Sequence, residues 1–482
     1  MSNPISYLSG VHRNPPSSRH GSVQLNDPQG KRCGDLDSLF RLYCVLISTV
    51  SYFARRRSGY LRFVKGLPRS SNRILTKMDS EWFRGQVVFV TGATGNLGGC
   101  LLYKLAIQLP TAKIFVLVRG SVQKAIEAWE QSMPEQVEDV IATCKIQFFL
   151  GDMARPNLGL SPANLSRLRN EVTVVINTAG DIALSRDLAE TIPVNCTAHL
   201  TLAALLDSFT QLQRFLHIST TYASSFLPDG VVKEQIYPLY EDPAEELEKI
   251  LSTGKSSYTK QFAAPYALAK HLAECLLLGG DHKFPILIVR PCLISPAIAE
   301  PYPLYGSDGA IPVHSFLQIL LGDAEYGPLK LEQTLPFHAA CNEIPVDLVA
   351  RTCLAHVAQG TTGVVHASAD LYVSRSIGDL LERMRRHAPE GAADQVQKAG
   401  IDHGEVTAPE FYTMIQQFAR DWKIECTRSA HLQQVVGPLG LDLGDHDPEI
   451  FFKLRIERLA KTLLEKLESA SVASNKVYPS IS

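Results

Sequence analysis

The sequence predicts an α/β fold: a doubly wound parallel sheet, followed by a smaller and mostly helical C-terminal region. Two observations carry this prediction. Short apolar runs alternate with segments of helical periodicity between residues 86 and 291, and the first run leads into a glycine-rich turn that opens a helix. The 482 residues are 45% hydrophobic and 20% charged, as in an ordinary globular protein. The pattern predicts an extension over 1–80, a nucleotide-binding domain over 81–300 and a substrate-binding region over 301–482.

The first element is the stretch "QVVFVTGATGNLGGCLLYKLA" (86–106), in which an apolar run changes to helical periodicity. Glycines at this change allow a tight turn and let the backbone approach a pyrophosphate at the helix N-terminus. A second apolar run, "KIFVLVR" (113–119), completes a βαβ unit and makes the glycine pattern specific. The loop residues predicted to bind a dinucleotide are Gly92, Thr94, Gly95, Asn96, Leu97 and Gly98.

The residue at the end of the second strand predicts which dinucleotide binds. An Asp or Glu at this point would bind the ribose 2′-hydroxyl of NAD, whereas an Arg accommodates the extra phosphate of NADP. This chain has Arg119, with Lys124 close behind it. The sequence therefore favours NADPH, and the alternative is an exposed Arg at a strand end.

Four more apolar runs follow, with helical segments between them. They are "KIQFFLGD" (145–152), "VTVVINTAG" (172–180), "RFLHIST" (214–220) and "FPILIVRP" (284–291). Ligands of such sheets gather at the carboxyl ends of the strands. Cofactor contacts are therefore predicted at Asp152, Met153, Thr178 and Ala179, and Asn177 and Thr220 also lie at strand ends.

The stretch "PYALAK" (265–270) places Tyr266 and Lys270 four residues apart on a predicted helix. This spacing puts both side chains on one face, so a phenol and an ammonium group can share one small site. Such a pair can move a proton beside a bound cofactor. The pair also occurs by chance on solvated helix faces, so the spacing alone does not establish a site.

The motifs "TGATGNLG", "GD", "NTAG", "HISTTY", "YALAK" and "VRP", in this order, resemble the extended short-chain dehydrogenase/reductases, which have a Rossmann fold. The resemblance covers roughly residues 85–370. Within that superfamily the chain is similar to fatty acyl-CoA reductases and thioester reductase domains. Three stretches carry this narrower resemblance: "GDMARPNLGLS" (151–161), "VRPCLISPAIAEPYPLYG" (289–306) and "IPVDLVA" (344–350).

The resemblance implies a reduction of a fatty acyl or related thioester by NADPH, giving an aldehyde and, by a second reduction, an alcohol. Tyr266 would be the general acid, and Lys270 would favour the phenolate and hold the nicotinamide ribose, so both would contact the cofactor. Thr220 would bind the carbonyl oxygen, with Ser219 and Thr221 as alternatives. The loop 296–306 and the C-terminal helices would form the acyl pocket.

Two other functions remain open on the sequence alone. One is a dehydrogenase or epimerase acting on a sugar nucleotide or a sterol, against which the stretches "PNLGLS" and "EPYPLYG" argue. The other is a non-catalytic dinucleotide-binding sensor, which would not need the Tyr, Lys and Thr set. The acyl thioester, as acyl-CoA or on a carrier protein, is the predicted partner, and neither nucleic acid nor a metal site is indicated.

The first 80 residues carry 13 Lys and Arg against 4 Asp, and their start is rich in Ser and Pro, which predicts partial disorder. The run "LYCVLISTVSYF" (42–53) is shorter than the roughly 20 residues that a bilayer requires. With the basic residues of 54–65, it could lie on a membrane surface or pack on the protein as a helix. The ten cysteines include no C-x-x-C pair, which indicates a reducing compartment. We therefore expect a protein in the cytoplasm or peripheral to an intracellular membrane.

Overall fold

The computed structural model describes residues 76–77, 80–306, 314, 337–391 and 419–477. The predicted membrane-surface segment, residues 42–65, lies outside the described residues. So does most of the predicted extension over 1–80. In the part of the chain that is described, no helix is both long and apolar enough to cross a bilayer.

A seven-stranded, all-parallel sheet forms the centre of the fold, in the order β4-β3-β2-β5-β6-β8-β12. Its strands are β2 (Val87–Thr91), β3 (Lys113–Val118), β4 (Ile146–Leu150), β5 (Val174–Asn177), β6 (Arg214–Ile218), β8 (Ile286–Pro291) and β12 (Gly363–Ala367). The strand order reverses between β2 and β5, which is where such sheets bind ligands. The predicted doubly wound fold is confirmed.

Short strands outside this sheet pair with one another. They are β1 (Thr76–Lys77), β7 (Gly230–Val232), β9 (Leu293–Ser295), β10 (Ala340–Cys341), β11 (Glu343–Pro345), β13 (Arg375–Ser376), β14 (Trp422–Ile424) and β15 (Val435–Val436). Two of these pairs join distant parts of the chain, since β7 pairs with β14 and β1 pairs with β15.

Helices connect the strands and cover the sheet. The α-helices are α1 (Asn96–Tyr103), α2 (Val122–Ser132), α3 (Val137–Ala142), α4 (Pro162–Glu171), α5 (Leu188–Ile192), α6 (Ala198–Leu206), α7 (Pro243–Thr253), α8 (Pro265–Gly279), α9 (Val346–Gln359), α10 (Ile377–His387) and α11 (Pro448–Val477). A π-helical turn, Lys104–Gln108, continues α1, and another, Pro193–Thr197, joins α5 to α6. Strand residues such as Phe89, Phe115 and Phe215 are completely buried, which explains their continuous apolar runs.

Six strands of the sheet coincide with the six apolar runs identified in the sequence, but the seventh does not. Strand β12 lies beyond residue 300, where the sequence analysis predicted a mostly helical substrate region. It pairs along β8, with Val365 opposite Val289. The run "GVVHA" is only five residues long and contains a histidine, so local periodicity did not distinguish it. The sheet therefore extends into the region assigned to substrate binding.

The stretch 296–306 packs on α1 and α2 through its own side chains. The Tyr305 hydroxyl donates to the carbonyl oxygen of Asn96 at 2.9 Å, and the Tyr302 hydroxyl donates to that of Ser132 at 2.8 Å. Tyr305 is 1% exposed. These aromatic side chains anchor the stretch to the nucleotide-binding half. Its part in an acyl pocket stays a prediction.

Candidate functional site

The glycine-rich turn between β2 and α1 is fixed by close backbone packing. Gly92 has φ +71°, and a Cβ atom there would lie 2.6 Å from the backbone nitrogen of Ala179. A Cβ atom on Gly98 would lie 2.1 Å from the carbonyl oxygen of Gly92. The buried Trp129 side chain stabilises the turn, because its indole N–H donates to the Ala93 carbonyl oxygen at 3.0 Å. Glycine is therefore required at 92 and 98 for the fold itself.

The N-terminus of α1 has the features of an anion site. Gly95 is the N-cap, and it supplies no side-chain hydrogen bond to the first amides of the helix. These amides point out of the helix end with the positive pole of its dipole. A Cβ atom on Gly95 would have one close neighbour, the Gly92 carbonyl oxygen at 3.4 Å, so the space in front of Gly95 is open to a ligand. The turn thus fits the pyrophosphate of a dinucleotide.

A cavity of about 480 Å³ opens beside this turn, at the carboxyl ends of the strands. Eight residues predicted to bind the cofactor contribute to its walls: Gly92, Thr94, Gly95, Arg119, Asp152, Met153, Thr178 and Ala179. The other predicted loop residues, Asn96, Leu97 and Gly98, begin α1 behind the turn. The sequence analysis did not assign Gly180, Val194, Ala198 or His199, which also line the cavity.

Two cationic side chains stand at the β3 end of the cavity. Arg119 and Lys124 are both exposed and both line it. No ion pair engages either one within the described ranges. Ser121 caps α2 by accepting the backbone N–H of Lys124 at 3.1 Å, which fixes the start of the helix that carries Lys124. This end of the cavity therefore offers unneutralised positive charge to a phosphate group.

Behind the cavity, Asn177 organises a buried polar cluster. Its side-chain oxygen accepts the Thr91 hydroxyl at 2.7 Å, and its amide nitrogen lies 3.0 Å from His199 Nδ1 and 3.1 Å from His217 Nδ1. Burial holds the pKa of both histidines well below the usual range, and nearby charge lowers it further. Both imidazoles are thus neutral. The sequence analysis did not predict this cluster, because its members lie on separate strands and a helix that only the tertiary fold brings together.

Tyr266 and Lys270 lie one turn apart on α8, as predicted. The Lys270 ammonium donates to the carbonyl oxygen of Ile218, at the end of β6, over 3.1 Å. Burial lowers the pKa of Lys270 to about 8, although the carboxylate of Glu274 opposes this change. Burial, with a smaller contribution from Glu274, raises the pKa of Tyr266. At neutral pH the phenol therefore keeps its proton and the ammonium keeps its charge.

Gly180 connects the cavity to the helix that carries this pair. Gly180 lines the cavity, and a Cβ atom there would lie 3.4 Å from Lys270 Nζ and 3.1 Å from Asn195 Oδ1. The Asn195 side chain in turn holds the loop after β5, because it accepts the N–H of Asp181 and donates to its carbonyl oxygen. Lys270 thus lies directly behind the cavity wall, while neither Thr220 nor Tyr266 is part of that wall.

Thr220 is buried two residues beyond β6, at the same edge of the sheet. Its hydroxyl oxygen accepts the backbone N–H of Tyr222 at 3.3 Å. Because that bond uses the oxygen as acceptor, the hydroxyl hydrogen can still donate to a substrate. Ser219 and Thr221 are buried as well. The assignment of the reactive hydroxyl to Thr220 stays a prediction.

Comparisons with known proteins agree with this geometry. The NAD-binding family model described as "Male sterility protein" matches residues 90–353, more than half of the chain. Fatty acyl-CoA reductase 1 of Xenopus laevis is 27% identical over 290 residues, which are 57% of this chain and 55% of that protein. The chain spans about half the length of the curated relatives it matches.

Two solved structures have a similar fold. The terminal R domain from the myxalamid PKS-NRPS biosynthetic pathway superposes with a TM-score of 0.54 at 18% identity, covering 77% of this chain and 90% of that chain. A thiolation-reductase di-domain from an archaeal non-ribosomal peptide synthetase gives a TM-score of 0.50 at 18% identity, covering 82% and 95% of the two chains. At this identity, the likeness establishes the fold alone.

Proposed function

Because the chain belongs to the male sterility protein family of NAD-binding domains, we propose that it is an NADPH-dependent reductase of fatty acyl or related thioesters. The observation that carries the proposal is the position of Lys270 directly behind Gly180, a residue of the cavity formed at the glycine turn, with Tyr266 one turn away on the same helix. The curated relatives named as fatty acyl-CoA reductases support the thioester substrate.

The preference for NADPH rests on Arg119 and Lys124. Both side chains line the β3 end of the cavity, where the adenosine ribose of a dinucleotide lies in such folds. A 2′-phosphate would pair its negative charge with these cations through hydrogen bonds, whereas a 2′-hydroxyl is neutral and would bind them more weakly. Asp152, whose carboxylate could otherwise bind a ribose hydroxyl, lines the same cavity. One of its oxygens already accepts the backbone N–H of Ala154 at 3.0 Å, so it has less capacity to bind the ribose.

The reaction follows from the protonation states of the site. NADPH, when bound, supplies a hydride to the thioester carbonyl carbon. Tyr266 then donates its phenolic proton to the carbonyl oxygen, and Thr220 donates a hydrogen bond that stabilises the developing negative charge. The ammonium of Lys270 would hold the nicotinamide ribose and, as a nearby positive charge, would favour the phenolate that remains.

The product of this step is a hemithioacetal, which collapses to an aldehyde and a thiol. A second NADPH, bound after the oxidised cofactor leaves, would supply the hydride that reduces the aldehyde to an alcohol, and Tyr266, reprotonated from solvent, would supply the proton. We propose that the substrate is the thioester itself, as acyl-CoA or on a carrier protein.

We also propose that residues 42–65 contact a membrane surface and that the protein works in the cytoplasm or on an intracellular membrane. Support comes from the sequence, where an apolar run is followed by an arginine cluster. Such a segment can place its apolar side in the lipid interface and its cations near anionic head groups. A fatty acyl substrate partitions into the same interface.

The function is tested by incubating the purified protein with NADPH and acyl-CoAs from short to very long chains, with products identified by mass spectrometry. We expect aldehyde or alcohol products. We also expect kcat/KM to rise with chain length, because each buried methylene contributes about 0.8 kcal/mol, or about fourfold. A flat profile, or conversion of a sugar nucleotide or a sterol instead of any thioester, would reject the proposal.

A further inference from the structure

The loop after β6 is tied directly to the start of α8. Ser225 is 2% exposed, and its hydroxyl oxygen accepts the backbone N–H of Ala263 at 3.0 Å. Ala263 stands two residues before α8 begins, and Tyr266 is the second residue of that helix. One hydrogen bond therefore joins the loop that carries Thr220 to the entry of the helix that carries Tyr266.

Thr220 and Ser225 belong to one rigid turn. The carbonyl oxygen of Thr220 accepts the N–H of Ala223 at 3.1 Å, and that of Tyr222 accepts the N–H of Ser225 at 2.9 Å. These bonds form a short 3₁₀ helix over Thr221–Ser224. Backbone hydrogen bonds therefore connect the position of Ser225 to that of Thr220 across this turn.

Arg420, in the C-terminal region, binds residues 225–229 at the end of this loop. Its guanidinium donates to the carbonyl oxygen of Ser225 at 3.0 Å, to that of Leu227 at 2.6 Å and to the carboxylate of Asp229 at 2.9 Å. Three acceptors from one short segment thus converge on one planar group. Such fork-like contacts fix geometry more strongly than a single ion pair does.

Trp422 holds Arg420 in place. The Arg420 guanidinium lies 5.1 Å from the centre of a Trp422 ring, and the indole N–H donates to the carbonyl oxygen of Pro228 at 3.1 Å. Trp422 also begins β14, which pairs with β7 just after the loop. Residues 420–424 therefore form a clasp that closes over residues 225–232.

We propose that Arg420 and Ser225 are positioning residues that set the separation between the Thr220 hydroxyl and the Tyr266 phenol. The proposal rests on the catalytic roles proposed above for Thr220 and Tyr266. It makes the C-terminal clasp part of the reaction geometry rather than of the cofactor site, because none of these residues lines the dinucleotide cavity. Misplacement by about 1 Å can reduce a rate by about a hundredfold.

The test compares Arg420→Gln and Ser225→Ala with wild type. Arg383→Gln is the matched control, since Arg383 pairs with Glu449 in the same region and makes no contact with the loop. We expect both test variants to lower kcat by about ten- to a hundredfold. The affinity for NADPH, measured by calorimetry, should change less than about twofold, since the cavity residues are untouched.

Two further variants distinguish a positioning role from a general loss of stability. Ser225→Thr keeps the hydroxyl and should recover most of kcat, whereas Arg420→Lys keeps the charge but replaces only one of three contacts and should recover little. The double variant of Ser225→Ala and Arg420→Gln should be hardly slower than the worse single variant, because both act through one connection.

A readout without turnover is hydrogen exchange of the backbone amides. Arg420→Gln should speed exchange at residues 221–227 and at Ala263, and leave the amides of β2 and α1 unchanged. If exchange at Ala263 stays at the wild-type rate, or if NADPH affinity falls as much as kcat, the positioning role is wrong. If wild type converts no thioester while exchange changes as expected, the proposed function fails and the mechanical connection stands.

Discussion

The Nζ atom of Lys270 lies 6.0 Å from the centre of the Tyr266 ring, one turn along the same helix. The ammonium donates its hydrogen bond to the Ile218 carbonyl oxygen and lies close to the cavity wall at Gly180. This separation agrees with the directions of the two pKa shifts, because burial acts on each group more strongly than any neighbouring charge does. The geometry is therefore compatible with the two roles proposed above, Tyr266 as proton donor and Lys270 as a positive charge near the cofactor.

Replacing Tyr266 by Phe removes the proton donor and keeps the ring that packs in the site. We expect kcat to fall by about 10²- to 10⁴-fold, the usual contribution of a general acid. NADPH affinity, measured by calorimetry, should be unchanged. Turnover above about a tenth of wild type would assign the proton to another group.

The pKa of Lys270, lowered to about 8, predicts the alkaline limb of activity. The ammonium is charged below pH 8 and loses its proton as the pH rises through 8. We therefore expect kcat/KM to fall above about pH 8, approaching about tenfold per pH unit. Lys270→Met should have a low kcat/KM that does not change with pH over this range. A wild-type kcat/KM that stays constant to pH 10 would contradict the proposed role of the Lys270 ammonium.

The same group affects stability in the opposite direction. Its pKa in the folded protein is lower than in the unfolded chain, so between the two values only the unfolded chain binds the proton. Stability from this group is therefore lowest below pH 8 and rises above it. Denaturant unfolding of cofactor-free wild type and Lys270→Met should show this rise in wild type alone.

Arg119→Ala should weaken NADPH far more than NADH. The lost contact is charge-assisted and worth about 1.5–3 kcal/mol, or roughly ten- to a hundredfold in Kd. Lys124→Ala should act in the same direction. Dissociation constants for both dinucleotides decide this, and an equal loss for NADPH and NADH would leave Arg119 without a role in selecting the cofactor.

Gly95 and Gly98 form a matched pair that separates binding from folding. Gly98→Ala places a methyl group 2.1 Å from the Gly92 carbonyl oxygen, so we expect it to lower the free energy of unfolding by about 1–3 kcal/mol. Gly95→Ala meets its nearest atom at 3.4 Å, so it should lower the free energy of unfolding by less than about 1 kcal/mol, the effect of a poorer N-cap residue, while weakening dinucleotide binding. Thermal unfolding and calorimetry test both variants, and equal destabilisation by both would contradict the geometry.

Truncations test where the folded protein begins. The sequence analysis ended the extension at residue 80, but β1 at Thr76–Lys77 pairs with β15, and Phe83 is completely buried. A chain lacking residues 1–75 should fold and keep activity. Removal of residues 1–83 should cost at least about 3 kcal/mol, the usual effect of losing a buried Phe.

The same truncations test the proposed membrane contact. Wild type should sediment with anionic liposomes, and the chain lacking residues 1–75 should not. Neutral liposomes are the control, because the arginine cluster in 54–65 requires anionic head groups. Equal sedimentation of both proteins would rule out residues 42–65 as the contact.

The sequence by itself determined the features that depend on local spacing. The glycine turn, the six apolar runs and the pair Tyr266 and Lys270 each lie within about 20 residues of chain, where periodicity and spacing act directly. The order of these motifs also indicated the superfamily, and the family match confirms that resemblance. Most of the residues that line the cavity were also predictable, because the carboxyl ends of the strands in a parallel sheet meet at one edge.

Only the tertiary structure decided which distant segments meet. Arg420 and Asp229 are separated by 191 residues, and Asn177 and His217 by 40, yet both pairs are in contact in the folded chain. The packing of the stretch 296–306 on α1 and the pairing of β12 with β8 also join segments that are far apart in the sequence. A local pattern specifies which face of an element is apolar or polar, but the partner of that face depends on the packing of the whole chain.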